Sequence, residues 1–132
     1  MQSSSKPVVI VLVWTDEAGA VGCDPCLVND LELGVYAEST GEGYSGNIFE
    51  EGTEFSLNLS CTCTCGPSGC SCGCPSVVTD YRNNVEVVRI PAGVSGDLQV
   101  TVTSTTWGQG AQEEYLQLFA VYAQNACLGA CS

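Results

Sequence analysis

The chain has 132 residues, 45% of them hydrophobic, which suffices for one domain with a buried core. Fifteen acidic residues against three basic ones give a net charge of −12, which disfavours binding to nucleic acid or to an anionic membrane surface. There is no histidine, which excludes a Ser-His-Asp triad, a Cys-His dyad and His-ligated zinc, so we expect a protein without enzymatic activity.

The first half of the chain predicts strands separated by loops. Residues 6–14 form a continuous run of β-branched and apolar side chains, which predicts a strand buried on both faces and is too short to span a bilayer. Residues 26–36 begin as a loop and become a strand with its apolar side chains on one face. Residues 38–47 predict a glycine-rich, acidic turn region, and residues 53–60 predict a further strand.

The second half continues this pattern. Residues 85–90 predict a strand that Pro91 ends, residues 96–105 alternate between apolar and polar side chains, and residues 115–123 predict a last strand. Many short strands with glycine, proline and asparagine turns favour an all-β fold. We therefore predict a jelly-roll β-sandwich over a single domain, residues 1–132, with a short N-terminal tail at residues 1–7.

Residues 61–74, the cysteine hairpin, have a cysteine pattern that is symmetric about the central Pro67-Ser68 pair. Folded at that turn, the segment becomes two strands with three facing cysteine pairs on one side, which are Cys61–Cys74, Cys63–Cys72 and Cys65–Cys70. A ladder of three disulfides is therefore predicted as an insertion in the sandwich. The alternative is a thiolate cluster for a soft metal, but such a cluster does not require symmetry about a turn.

The other four cysteines are Cys23 and Cys26 in an early loop, and Cys127 and Cys131 in a C-terminal tail at residues 125–132. They are compatible with local disulfides, with disulfides between the loop and the tail, with disulfides between chains, or with a four-thiolate zinc site. Ten cysteines in a short chain are typical of an oxidising compartment, so we expect an extracellular or cell-surface protein with disulfides rather than zinc.

Oxygen-rich clusters follow or begin several predicted strands. They lie at residues 14–16, 27–32 and 80–86, and they combine carboxylate with amide side chains. Calcium prefers six to eight such oxygen ligands. The alternative is ordinary Asx turns at the ends of strands.

Four segments of the chain, three of which overlap these clusters, resemble the C-terminal β-jelly-roll domain of subtilisin-like serine proteases. They are Val11-Leu-Val-Trp-Thr-Asp16, Leu27-Val-Asn-Asp-Leu-Glu-Leu33, Gly46-Asn47-x-Phe49 and Asp80-x-Arg-Asn-Asn-Val-Glu86. The resemblance covers most of the chain except the cysteine hairpin and the tail. It implies a non-catalytic domain that binds calcium and stabilises a neighbouring protease domain, with Asp16, Asn29, Asp30, Asp80, Asn84 and Glu86 as the candidate ligands.

Two departures from that family shape the functional expectation. The chain has no protease domain, and where the resembling domains carry a further strand it has only residues 1–7. A sandwich lacking one strand has an open edge, which invites a strand from a neighbouring subunit. We therefore expect a calcium-stabilised subunit that self-associates into a filament or surface layer. The alternatives are an accessory domain of a secreted subtilisin-like protease and a thiolate metal-binding protein.

A glycosylation sequon is present at Asn58-Leu59-Ser60. Because the motif is short, it also arises by chance. Asn58 is accordingly a candidate glycosylation site on an exposed segment of an extracellular protein.

Overall fold

The structure is a computed structural model that describes residues 6–106 and 117–126. The strands within these ranges are β1 (Val8–Trp14), β2 (Asp30–Ala37), β3 (Glu42–Ser45), β4 (Thr62–Gly66), β5 (Gly69–Gly73), β6 (Val85–Ile90), β7 (Leu98–Thr106) and β8 (Phe119–Gln124). The all-β prediction is confirmed. The described ranges contain no helix that could cross a membrane.

The strands form two three-stranded antiparallel sheets and one separate hairpin. Sheet A has the order β6-β1-β8, sheet B has the order β3-β2-β7, and β4 pairs only with β5. The inner faces of sheets A and B share one apolar core, so the architecture is sandwich-like. Two three-stranded sheets in the described ranges do not by themselves define an eight-stranded jelly roll, which stays a prediction.

Strand alternation places the core where the sequence pattern predicts it. Alternate residues of β1 and β2 point inward, and Leu12 and Leu33 have no exposed surface. Each is flanked by inward neighbours on the same strand. The buried apolar residues that pack together are Val8, Ile10, Leu12, Trp14, Leu31, Leu33, Val35, Tyr44, Val88 and Ile90.

Two predictions about residues 38–60 are wrong. The predicted turn region contains β3, because the chain reverses after β2 and pairs with it from Ala37 opposite Glu42. The predicted strand at 53–60 is irregular apart from a single bridge between Phe49 and Ser56. Its backbone amides bond to different segments in turn, so no continuous ladder forms.

The prediction that residues 6–14 are buried on both faces is also wrong. The inward side chains of β1 are buried, but the outward Val13 is 40% exposed, and Val9 and Val11 are only partly buried. A continuous apolar run predicts burial on both sides only when a second layer covers each face of the sheet. Among the residues that the structure describes, the core covers only the inner face of sheet A.

Residues 46–59 close one side of the sandwich. Asn47 donates its backbone N–H to the Val87 carbonyl at 3.0 Å and accepts the Val87 N–H on its side-chain oxygen at 3.0 Å. Leu59 donates to the carbonyl of Gly43 at 2.7 Å. These bonds cover the outer edges of β6 and β3, whereas β7 and β8 each have a neighbouring strand on one side only within the described ranges.

Candidate functional site

The six predicted calcium ligands lie at one end of the sandwich, where β1 ends and β2 and β6 begin. The strand pairing explains this placement, because Val13 near the end of β1 lies opposite Val85 at the start of β6. Trp14 joins β2 to the same end by donating its indole N–H to the Asn29 carbonyl at 2.9 Å. Within this end, the six residues separate into two groups.

Asp16, Asn29 and Asn84 form the first group, a hydrogen-bonded network around the end of β1. The Asp16 carboxylate accepts the backbone N–H groups of Val28 at 2.6 Å and Asn29 at 2.9 Å. Asn84 donates its side-chain amide to the Trp14 carbonyl at 2.9 Å. These side chains provide hydrogen-bond partners for backbone N–H and C=O groups where regular strand pairing stops. Asp and Asn side chains ordinarily have this role in loops.

Asp80 organises the loop before β6. One carboxylate oxygen accepts the backbone N–H of Arg82 at 2.9 Å, and the other accepts side-chain amides of Asn83 at 2.6 Å and Asn47 at 2.7 Å. Partial burial raises the pKa of Asp80, but these hydrogen bonds outweigh it and hold the pKa below its ordinary value. Asp80 is therefore an ionised acceptor already surrounded by donors.

Glu86 is the one fully buried carboxylate in the described part of the chain. It points inward from β6, and one oxygen accepts the backbone N–H of Leu33 in β2. Gly46 lies against it, since a Cβ atom there would stand 2.6 Å from the Glu86 carboxyl carbon. The other oxygen, Oε1, has no hydrogen-bond partner among the described residues. A buried, half-satisfied carboxyl group is costly unless it is protonated or compensated.

Asp30, Glu32, Asp80 and Glu86 together form what we call the acidic group. The pKa of Glu86 is raised to about 7, mainly by burial and also by the negative charges of Glu32, Asp30 and Asp80, against the lowering effect of the Leu33 hydrogen bond. Burial also raises the pKa of Glu32, which accepts a hydrogen bond from the Thr79 side chain. Ionisation of Glu86 and Glu32 is thus disfavoured by burial and by the negative charges of the neighbouring acids.

Glu32 is absent from the ligands that the resemblance implies. It follows Asp30 by two positions on β2, so both side chains point to the outer face of sheet B. The spacing of two between Asp30 and Glu32 in the sequence is the signal that could have added Glu32 to the candidate ligands. Its position relative to Glu86 depends on how β2 and β6 meet at this end, which the sequence pattern does not determine.

Within the ranges that the structure describes, no three carboxylate or thiolate side chains converge closely enough to hold a metal ion. Asp16 and Asp80 use both oxygens to accept N–H groups. By contrast, Oε1 of Glu86 accepts no hydrogen bond from the described residues. Further ligands for calcium would have to be amide or backbone carbonyl oxygens.

The cysteine hairpin has the paired strands that its symmetry predicts. Disulfides join Cys61 to Cys74, Cys63 to Cys72 and Cys65 to Cys70, with Cα atoms 3.9 to 4.1 Å apart. All residues of β4 and β5 are exposed. The hairpin is therefore an insertion that projects from the sandwich and contributes no side chain to its core.

Cys23 and Cys26 form a local disulfide in the loop before β2. This pairing excludes the alternative in which they crosslink to the C-terminal tail. Cys127 and Cys131 lie outside the described residues, so their pairing stays open. Every cysteine that the structure describes is in a disulfide, which is consistent with an oxidising compartment.

The candidate glycosylation site lies on an exposed segment. Asn58 donates its amide to Glu42 at 3.3 Å and accepts the Ser60 N–H at 2.9 Å. The Ser60 hydroxyl donates to the carbonyl of Gly41 at 2.8 Å. Glycosylation of Asn58 stays a prediction.

Comparison with known proteins does not identify a family. No protein-family model matches the chain, and no curated protein matches it either. The resemblance to the jelly-roll domain of subtilisin-like proteases therefore stays a prediction that rests on the motifs given above.

Proposed function

We propose that this protein is a non-catalytic extracellular structural subunit, a disulfide-rich β-sandwich that binds calcium and self-assembles into a filament or surface layer. The observation that carries the proposal is that, within residues 6–106 and 117–126, β7 and β8 each pair with another strand on one side only. Strand addition at such an edge, with the donated strand coming from a neighbouring subunit, is the route we propose for assembly.

Over most of its length, the open side of each of these two strands lacks the features that normally prevent strand pairing between molecules, although β7 has one bulge, opposite Asp30 and Leu31. Proteins protect an exposed edge with charged residues, proline, bulges or a very short strand. The nine residues of β7 and the six of β8 contain no charged residue and no proline. By contrast, the edges of β3 and β6 are covered by residues 46–59 of the same chain. The difference between these covered edges and the edges of β7 and β8 supports assembly through β7 and β8.

The disulfides support the extracellular part of the proposal. Structural disulfides persist in oxidising environments and are rare in the cytosol. Three of them stiffen a hairpin that is exposed along its whole length and that would otherwise be marginally stable in water. A surface filament would benefit from an insertion that resists unfolding and proteolysis.

The acidic group is the reason that we include calcium in the proposal. Glu86 is buried with one unsatisfied oxygen, and Glu32 lies close enough to raise its pKa. A hard cation supplies charge that compensates such carboxylates when it is bound. We propose Glu86 and Glu32 as the two carboxylate ligands, with amide or backbone carbonyl oxygens as the others, because Asp80 and Asp16 already have hydrogen-bond donors on both oxygens.

Electron microscopy of the purified, disulfide-intact protein tests the proposal directly. We expect filaments or layers in calcium, and fewer or none after chelation. Single subunits in both conditions, over a wide range of protein concentration, would contradict the assembly proposal. Assembly that is unaffected by chelator would contradict the role of calcium alone.

A charged edge tests the proposed route of assembly. Thr101 and Thr103 have exposed side chains on β7, so Thr101→Lys with Thr103→Lys adds the kind of charge that protects natural edges. We expect this variant to fold and to lose assembly. Thr62→Lys with Thr64→Lys on the exposed strand β4 adds the same charge and is expected to leave assembly intact. Equal loss in both variants would indicate a general charge effect.

The two alternative functions have less support. A role as an accessory domain of a secreted subtilisin-like protease rests on the sequence resemblance alone. A thiolate metal-binding function requires free thiols, and every cysteine within the described ranges is in a disulfide. Mass measurement with and without reductant separates the thiolate alternative from the proposed function, since each disulfide lowers the mass by two hydrogens.

A further inference from the structure

The outward face of sheet A is apolar across all three strands. Val13 of β1 lies between Val85 of β6 and Ala120 of β8, and Val11 lies between Val87 and Tyr122. Residues directly opposite each other on antiparallel strands point to the same side of the sheet. The two rows therefore form one continuous patch, the valine face, which consists of Val11, Val13, Val85, Val87, Ala120 and Tyr122.

The valine face is substantially open to solvent. Tyr122 is 61% exposed, Val85 is 42% exposed and Val13 is 40% exposed. Single exposed apolar side chains are normal on protein surfaces, but contiguous patches usually mark sites of interaction. The six residues are neighbours through strand pairing, so their exposure is a property of one surface.

Sheet B provides an internal comparison. Its outward positions pair Glu32 with Thr103, Gly34 with Thr101 and Tyr36 with Gln99. That face is mostly polar, as expected for the solvent side of an antiparallel sheet. The apolar outer face is thus specific to sheet A and does not follow from the strand propensity of valine alone.

One border of the valine face has polar side chains on its two outer strands. The next row along β1 places Val9 between Arg89 and Gln124. Arg89 pairs with Glu54 at 3.4 Å, so the one cation at this border has a partner within the subunit. An apolar centre with a polar border is the usual anatomy of a protein–protein interface.

The charge distribution of the protein indicates what binds to the valine face. The protein has a net charge of −12, yet the valine face contains no acidic side chain. Two copies of so acidic a chain repel each other across most surfaces, and an uncharged face is where they approach with least repulsion. A strongly basic partner would instead be attracted to the acidic surfaces elsewhere on the subunit.

The N-terminal segment of the same chain is poorly suited to cover this face. Asn125 donates its side-chain amide to the Pro7 carbonyl at 2.7 Å, which places the start of β1 beside the end of β8. The five residues before Lys6 span at most about 17 Å when extended. They include one glutamine and three serines, which do not match an apolar surface.

We propose that the valine face packs against a second copy of this protein. The proposal rests on the proposed function, because it names one of the contacts through which subunits assemble. It is distinct from strand addition at the edges of β7 and β8, since it uses the flat side of sheet A. Side chains from two such faces interdigitate as in the packing of two sheets.

Sedimentation velocity on the full, disulfide-intact chain tests this contact. Val13→Glu with Tyr122→Glu places carboxylates on two exposed positions of the valine face. We expect self-association to weaken at least about tenfold, because central interface residues dominate association. The control, Tyr36→Glu, changes a residue of similar exposure, 45%, on the outer face of sheet B and is expected to associate like the wild type.

Val13→Thr tests the same contact with less risk of misfolding, since threonine keeps the β-branched shape and has high strand propensity. A weaker association of this variant, with unchanged circular dichroism, supports the contact. If the glutamate variant associates as the wild type does, or if Tyr36→Glu is equally impaired, the valine face is not the interface, although the proposed assembly stands. If the wild type stays monomeric at every concentration, with and without calcium, both proposals are overturned.

Discussion

The sandwich and the cysteine hairpin differ in how they hold their shape. In the sandwich, side chains such as Leu12, Leu33 and Ile90 have no exposed surface. In the hairpin, every residue of β4 and β5 is exposed, and three disulfides join the two strands. The sandwich therefore depends on apolar burial, whereas the hairpin depends on covalent crosslinks that restrict its unfolded state.

This difference implies that the two regions are largely independent in energy. A change in the core should unfold the sandwich without opening the disulfide ladder, and loss of a ladder crosslink should leave the sandwich nearly as stable as before. Additivity of this kind holds when two sites share no packing partners. The four predictions below test that independence, from the largest expected effect to the smallest.

Leu12→Ala should have the largest effect. Leu12 is fully buried in the centre of β1, so its truncation leaves a cavity between the two sheets. We expect the free energy of unfolding to fall by about 3 to 4 kcal/mol. Denaturant unfolding followed by tryptophan fluorescence measures this change. The three ladder disulfides should stay resistant to mild reductant in the variant; their rapid reduction would show that the hairpin depends on the core.

Glu86 should make the sandwich less stable as pH rises. Burial and the neighbouring acids raise its folded pKa to about 7, above the ordinary value of a glutamate. The folded state therefore binds the proton more tightly, so its stabilising effect is complete at acid pH and is lost as pH rises through 7. The loss at pH 8 relative to pH 4 is on the order of 3 kcal/mol.

Glu86→Gln should remove this decline, because a glutamine keeps the acceptor for the Leu33 N–H without carrying charge. Thermal unfolding at several pH values measures the effect, with Glu50→Gln on the exposed loop before Ser56 as the control. Bound calcium favours the ionised carboxylates and should also reduce the decline in the wild type. An identical pH dependence in Glu86→Gln and the wild type would show that Glu86 is not responsible.

Gly46→Ala tests how closely the closed side of the sandwich is packed. A Cβ atom at Gly46 would lie 2.7 Å from the Glu86 Cβ atom, so one of the two segments must shift. We expect a loss of about 2 kcal/mol in the free energy of unfolding. Gly43→Ala is the matched control on β3, since no atom lies within 4 Å of its added Cβ. Equal effects in the two variants would argue against a specific contact with Glu86.

Cys63→Ser with Cys72→Ser should have the smallest effect on the sandwich. The pair joins exposed strands that pack against nothing in the core. We expect the unfolding of the sandwich to change by less than about 1 kcal/mol. Protease digestion should nevertheless become faster within the hairpin. A loss of several kcal/mol from the sandwich would show that the two regions are coupled after all.

Much of the strand content could be predicted from the sequence because alternation and β-branched runs act locally. The pattern of β2 and β7 gives their inward faces correctly, and the cysteine symmetry gives the hairpin. The segment 53–60 was predicted incorrectly because its apolar spacing favours a strand, but a strand also needs a continuous partner. β3 was missed because its glycine-rich sequence has little strand propensity, and pairing with β2 determines it.

The candidate site was predictable only in part. The sequence places the six candidate ligands beside the ends of predicted strands, and the structure brings them to one end of the sandwich. It does not reveal that Asp16 and Asn84 serve backbone groups, or that Glu32 and Glu86 influence each other across two sheets. Those relations depend on how β2 and β6 meet.

The sequence by itself determined an acidic, histidine-free, all-β chain with a self-complementary cysteine hairpin, because composition, alternation and symmetry are local properties. The tertiary structure decided which faces are covered. The apolar run of β1 looks the same on both sides in the sequence, yet the core covers one side and leaves the valine face open. Burial depends on which layers pack together, and a strand's own residues cannot specify that.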